Sequence, residues 1–264
     1  MPAESFPSLN APTWPRRLVR VALWLIGIGV VLVVVAGPLS RFGILGFQPA
    51  LLLLAGGALL LGFGTLIAIV GLLFGVAKGA AVPRGVAALG IVVGLGVIFY
   101  LLSWLRAATG VPPIHEISTD LSSPPPFVAI REIRARTPGL NPPEYVAEQS
   151  VRGKPMSVPE MQRESYPDLQ PMILQTTPDV AFQRVEAAAR AMGWEIVAAV
   201  PAEGRLEATD TTRFFGFKDD VVVRLRFEGG ATRVDVRSKS RVGLGDAGAN
   251  AIRVRAFLEK LRAS

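Results

Sequence analysis

Asp220-Val-Val-Val-Arg-Leu-Arg-Phe227, then Glu228-Gly-Gly230, then Thr232-Arg-Val-Asp-Val-Arg-Ser-Lys-Ser240 is the stretch that decides how the second half of this chain folds. Both runs alternate with a period of two, which is the mark of a strand. Val221, Val223, Leu225 and Phe227 point one way, and Arg224 and Arg226 the other. In the second run Val234, Val236, Ser238 and Ser240 oppose Arg233, Asp235, Arg237, Lys239 and Arg241. The two-glycine link predicts a hairpin between them.

Outward from this hairpin, Arg205-Leu-Glu-Ala-Thr209 follows a Pro-Ala-Glu-Gly turn and reads as a strand, as does Trp194 to Val200. Before them a helix is expected. Thr177 suits its N-cap, Pro178 its first position and Asp179 its positive end. Ala181, Val185, Ala188 and Met192 make one apolar face, and Gly193 stops it. Met172-Ile-Leu174 is a short strand. A last helix is expected from Asp246, its N-cap, to Leu261, with Val254, Leu258 and Leu261 inward. Strand, helix, four antiparallel strands and helix predict an α+β domain, a two-layer sandwich close in outline to a helix-grip arrangement.

The first half reads differently. Residues 21–40, 42–77 and 85–105 carry no charge, and each window is long enough for one helical crossing of ~30 Å of hydrocarbon. The expectation is an N-terminal all-α transmembrane bundle of three helices, the middle one near 50–74. The first window is too long for a signal peptide and lacks an Ala-x-Ala cleavage site. The Lys/Arg bias predicts orientation: Arg16, Arg17, Arg20, Lys78 and Arg84 inside, Arg41 and Arg106 outside. The C-terminal domain is then outside the cytoplasm. The windows hold no Asp, Glu, Lys, Arg or His, which argues against a transporter. Gly90-x-x-x-Gly94 and other recurring glycines suit close helix packing.

Between the halves, residues 111–171 are rich in proline, which disfavours long helices and central strands. Ile114-His-Glu-Ile117 alternates like a short edge strand. The rest reads as an extended arm, and Phe127, Tyr145 and Tyr166 favour wrapping over pure spacing. The expected divisions are a cytoplasmic tail at 1–20, a membrane region at 21–106, a linker or wrapping arm at 107–171 and the α+β domain at 172–264.

Composition excludes several functions. The 264 residues contain no cysteine and one histidine, so a thiolate metal site, a cysteine nucleophile and a multi-histidine site are out. The net charge of +7 invites nucleic acid. Yet the basic surplus flanks the apolar windows, and the remainder is nearly neutral. Cations gather only at 224–241. There Arg224, Arg226, Arg233, Arg237, Lys239 and Arg241 face two acids, Glu228 and Asp235.

Asp235-Val-Arg-Ser-Lys-Ser-Arg-Val-Gly-Leu-Gly-Asp-Ala-Gly-Ala-Asn-Ala251 is a specific motif. With Phe217-Lys-Asp-Asp-Val221, Asn141-Pro-Pro-Glu-Tyr145, Pro113-Ile-His-Glu-Ile-Ser-Thr-Asp120 and Tyr166-Pro-Asp168, it resembles the uncharacterised DUF family 1499 over about residues 112–262. The resemblance implies a bacterial or plastid-related protein often tied to membranes. It supplies no activity and no catalytic roles.

The residues leave two readings open. Arg224, Arg226, Arg237, Lys239 and Arg241, with Asp246 and Asn250 at the start of the last helix, form a candidate anion- or partner-binding site. Alternatively the cations bridge to Asp219, Asp220, Asp235, Glu207 or Asp246 and pin the fold. Catalytic signals are thin. Asp219 and Asp220 point to opposite faces of a strand. His115 with Glu116 and Asp120 could move a proton. Ser238 and Ser240 lack a nucleophile elbow. Phe214-Phe-Gly-Phe217 is either an exposed aromatic tip touching a membrane or partner, or a plug for the core. No cofactor or metal is expected, and nucleic acid is not an expected partner. The expected partners are the lipid bilayer and an anionic lipid, glycan or protein. The preferred reading is a non-catalytic, membrane-anchored binding or assembly module facing the periplasm from the bacterial inner membrane. The alternatives are an envelope enzyme acting on an anionic substrate at Arg237–Asn250, and a structural subunit of a membrane complex.

Overall fold

The computed structural model describes residues 12–151 and 153–263. Residues 1–11 of the expected cytoplasmic tail lie outside them. Contacts divide the chain into two units, Met1–Arg106 with Arg213–Gly216, and Ala107–Thr212 with Phe217–Ser264.

The first unit holds three helices, α1 (Trp14–Arg41), α2 (Phe47–Ala77) and α3 (Arg84–Thr109). All three are long and apolar enough to cross a membrane. Large apolar side chains point outward, among them Trp24, Leu52 and Phe99. Such a surface suits lipid and not water. Glycine sets the packing of α1 on α2. A Cβ on Gly29 would stand 2.8 Å from the Gly57 carbonyl oxygen and 2.9 Å from the Leu61 amide nitrogen. Gly90 and Gly94 of α3 abut Leu23 and Thr65. The effect is selective, because a Cβ on Gly27, Gly56, Gly62 or Gly96 would meet nothing within 4 Å. Gly29→Leu is expected to part α1 from α2 and cost about 1–3 kcal/mol. Gly27→Leu should be neutral. Resistance to unfolding in detergent mixtures compares them.

In the second unit the sheet is built on a meander: β5 (Glu195–Val200), β6 (Arg205–Thr211), β7 (Lys218–Glu228) and β8 (Ala231–Ser240). Glu228 pairs with Ala231 across Gly229 and Gly230, both at positive φ, which a tight hairpin of this hand requires. The far edge of β8 carries two short strands end to end. β4 (Met172–Leu174) pairs with Thr232–Val234, and β1 (Glu116–Ser118) with Arg237–Lys239. Between them Thr119 continues the ladder, its amide donating to the Val236 carbonyl and its hydroxyl accepting from the Val236 amide. Six strands thus form one sheet, where the meander alone predicts four.

Helices α6 (Pro178–Ala191) and α7 (Ala249–Ala263) supply core side chains to one face. Val221, Val223, Leu225, Val234 and Val236 meet Val185, Val254, Phe257 and Leu261 there, as the alternation predicts, and Trp194 stacks on Phe257. Thr177 precedes α6, yet its side chain makes no capping hydrogen bond.

Residues 107–171 are more structured than the extended arm expected. They hold α4 (Ala129–Ala135), a separate hairpin of β2 (Glu148–Val151) with β3 (Lys154–Ser157), and α5 (Val158–Ser165). Ser157 caps α5 through the Glu160 amide. Ile114, Ile117, Val158, Met161 and Leu169 enter the main core, while Phe127 and Ile130 cover Val222 on the opposite face. The cationic sheet face is therefore roofed.

Candidate functional site

Under that roof lies a layer of buried charge. Lys239 is 0% exposed, Arg237 and Glu116 1% each. Transfer of unpaired ions from water is prohibitive, so the layer exists only because its charges are matched. Glu116 takes Arg237 on Oε2, with Nε at 3.0 Å and Nη2 at 2.8 Å. Its Oε1 takes Lys239 Nζ at 3.1 Å and the Val146 amide at 2.9 Å. The Arg237 guanidinium lies over Phe127, 4.8 Å from the ring centre, and also faces Tyr145.

The Asn141-Pro-Pro-Glu-Tyr145 motif now has a physical reason. Arg134 Nη1 donates to the Asn141 carbonyl, Arg237 Nη2 to that of Pro143 and Lys239 Nζ to that of Glu144. Prolines bring carbonyls without N–H groups that would themselves need acceptors. Asn141 completes the clamp, its side-chain amide donating to the carbonyls of Ser240 and Gly243.

Three further clusters absorb the remaining groups. Asp220, also fully buried, accepts from Arg134 Nε at 2.8 Å, from Arg241 Nη2 at 2.8 Å and from the Thr209 hydroxyl at 2.8 Å. Glu207 accepts the amides of Val128, Ala129 and Ile130 and so holds the start of α4. Asp120 and Asp235 share Arg224, Arg226 and Arg233. Burial opposes ionisation of Asp120, yet the amides of Ser123 and Ser122 with Arg233 and Arg224 hold its carboxyl below the usual range.

On the other face, Asn250 Oδ1 accepts from Ser238 and Arg253, while its Nδ2 donates to the Ser240 hydroxyl and the His115 carbonyl. Arg253 also reaches Asp219 and Asp210. Asp246 turns onto its own loop, accepting the Gly248 and Asn250 amides at 2.8 and 2.9 Å. A carboxylate of the chain itself thus occupies the helix N-terminus that the sequence suggested for a foreign anion. Burial raises the Asp246 pKa against the pull of those amides.

The seven candidate residues consequently do not converge. Arg237 and Lys239 serve Glu116, Arg241 serves Asp220, Arg224 and Arg226 serve Asp120 and Asp235, and Asp246 and Asn250 organise the α7 start. Arg224 and Arg226 keep partial side-chain exposure, 18% and 35%. Asp219 and Asp220 do face opposite sides. Arg241 meets Asp220, one of the acids the sequence offers, whereas Arg237 meets Glu116, which is not among them.

Sequence reasoning missed Arg134, Glu116 as an ion-pair partner, and Arg253. Only Arg253 carried a signal, since it shares the inward helical spacing of Asn250, Val254 and Phe257. Glu116 and Arg237 are 121 positions apart, and no local pattern links them. Among the described residues no cluster of three or more His, Asp or Glu could hold a metal ion.

The family model for a protein of unknown function, DUF1499, matches residues 116–261. The chain belongs to this family. The match begins at Glu116, the acid on which Arg237 and Lys239 converge, and ends at the last core leucine of α7. The DUF1499 region therefore contains the whole charged layer and its roof. No curated protein matches the chain.

Proposed function

We propose that this DUF1499 protein is a membrane-anchored binding or assembly module of the bacterial envelope. In this reading α1–α3 cross the inner membrane and the domain faces the periplasm. The observation that carries it is how the charged groups are used. Glu116, Asp220, Arg237, Lys239 and Arg241 tie the arm to the sheet, which is the work of a scaffold that must keep one shape. Recognition then belongs to the surface. Arg224 and Arg226 at the rim are where an anionic lipid headgroup, glycan or acidic protein segment would make contact.

The orientation follows the five-to-two Lys/Arg bias across the helices. A chain without cysteine makes the test direct. Ala202→Cys on the exposed β5–β6 turn is expected to react with a membrane-impermeant maleimide in intact spheroplasts. Labelling only after lysis would reverse the topology. For the module itself, a photo-crosslinking residue at position 226 of the full chain should trap one discrete adduct in native membranes. Absence of any adduct there and at the exposed Leu244 would sink the reading.

A further inference from the structure

The single histidine has its protonation state dictated by a neighbour. Gln149, on β2, donates its Nε2 to the carbonyls of Pro113, at 2.7 Å, and Leu244. That fixes the amide so that Oε1 faces His115 Nδ1 at 2.9 Å. An amide oxygen only accepts, so Nδ1 carries the proton and Nε2 keeps a bare lone pair. His115 is 6% exposed, and Nε2 has no hydrogen-bond partner.

We propose that His115 is a proton-operated latch, holding the β2–β3 hairpin to the domain near neutral pH and releasing it in acid. The inference is independent of the module reading. A second proton would have to sit on Nε2, a buried atom with no hydrogen-bond partner. Of the charged groups around the ring, Lys239 opposes that proton and Glu116 favours it. Lys239 of β8 is a cation, and both oxygens of Glu116, the next residue in the chain, are already engaged by Arg237, Lys239 and the Val146 amide. The hairpin contributes Gln149 and the glycine loop the Leu244 carbonyl, both uncharged. Burial, then Lys239, holds the His115 pKa below 6.5 against the opposing pull of Glu116, Gln149 and the Leu244 carbonyl.

The opened form binds this proton more readily than the closed one. Closure is therefore fully favoured above the ordinary histidine pKa and weakens as pH falls toward the lowered one. The hairpin is the part that yields. It shares no ladder with the six-stranded sheet, and two strands alone are marginal. The backbone of His115, by contrast, is pinned, its carbonyl accepting from the Ser240 amide and Asn250 Nδ2.

Hydrogen exchange on the full chain in micelles tests this at about pH 7.5 and about pH 5.5, corrected for intrinsic rates. Protection of residues 148–151 and 154–157 is expected to fall in acid, by up to roughly tenfold, with β7 and β8 unchanged, and His115→Gln should abolish the pH dependence. Unchanged hairpin protection in the wild type, or a persistent acid response in the variant, would overturn the proposal. Should the variant fail to fold, the wild type decides alone. Purified without a polyhistidine tag, it gives one imidazole signal by nitrogen NMR. An Nδ1-protonated neutral ring titrating below 6.5 supports the latch, and an Nε2-protonated ring or a pKa at or above 6.5 refutes it.

Discussion

Glu116→Ala is expected to destabilise the C-terminal domain by about 3–5 kcal/mol, the cost of leaving a buried ion without its partner. Two cations lose their carboxylate at once, but they respond differently. Burial already brings Lys239 down to about 8 even with Glu116 beside it, so without Glu116 it sheds its proton near neutral pH. Arg237 has no such escape, because a guanidinium stays charged. The loss therefore centres on Arg237, whose remaining partners are the Pro125 and Pro143 carbonyls and the faces of Phe127 and Tyr145. Adding Arg237→Met and Lys239→Met should recover much of the stability, since apolar groups of similar size need no counter-ion. Pulse proteolysis of the full chain in micelles against urea measures both. A single-variant loss below about 1 kcal/mol, the size of an exposed ion pair, would mean that water reaches the layer.

Asp220→Ala is expected to cost about 3 kcal/mol, with a different distribution. It strips Arg134 and Arg241 together, and Arg134 also holds the Asn141 carbonyl and bonds the Lys239 carbonyl on β8. The arm should loosen first. Protease cleavage within 120–145 is expected to appear under conditions where β6–β8 still resist. Simultaneous loss of arm and sheet would show that the arm is no separate unit of stability. Asp219→Ala provides the contrast. Its partner Arg253 keeps Asp210 and Asn250, so the arm should stay protected.

The elements themselves were legible from local pattern. Alternation marked β7 and β8, three charge-free windows marked α1–α3, and Met172–Leu174 is a strand as read. The helix expected from Asp246 instead starts at Ala249, because Gly248 and Ala247 take positive φ while Asp246 holds the incoming amides. The arm was illegible because its α4 and hairpin are short, set among prolines and held by partners remote in sequence. The candidate site divided along the same line. Six cations on one sheet face were visible, yet whether they were free depended on Asp220 and Asp235 of the sheet together with acids and carbonyls supplied by residues 116–145.

By itself the sequence determined three apolar helices, an antiparallel meander, two covering helices and a strand face rich in cations, since periodicity and composition are local properties. Only the tertiary structure decided that this face is closed, that Glu116 lies between Arg237 and Lys239, and that Gln149 sets the proton on His115. The reason is physical. Burial makes an ion's energy depend on which groups surround it, and those groups come from positions a hundred residues away.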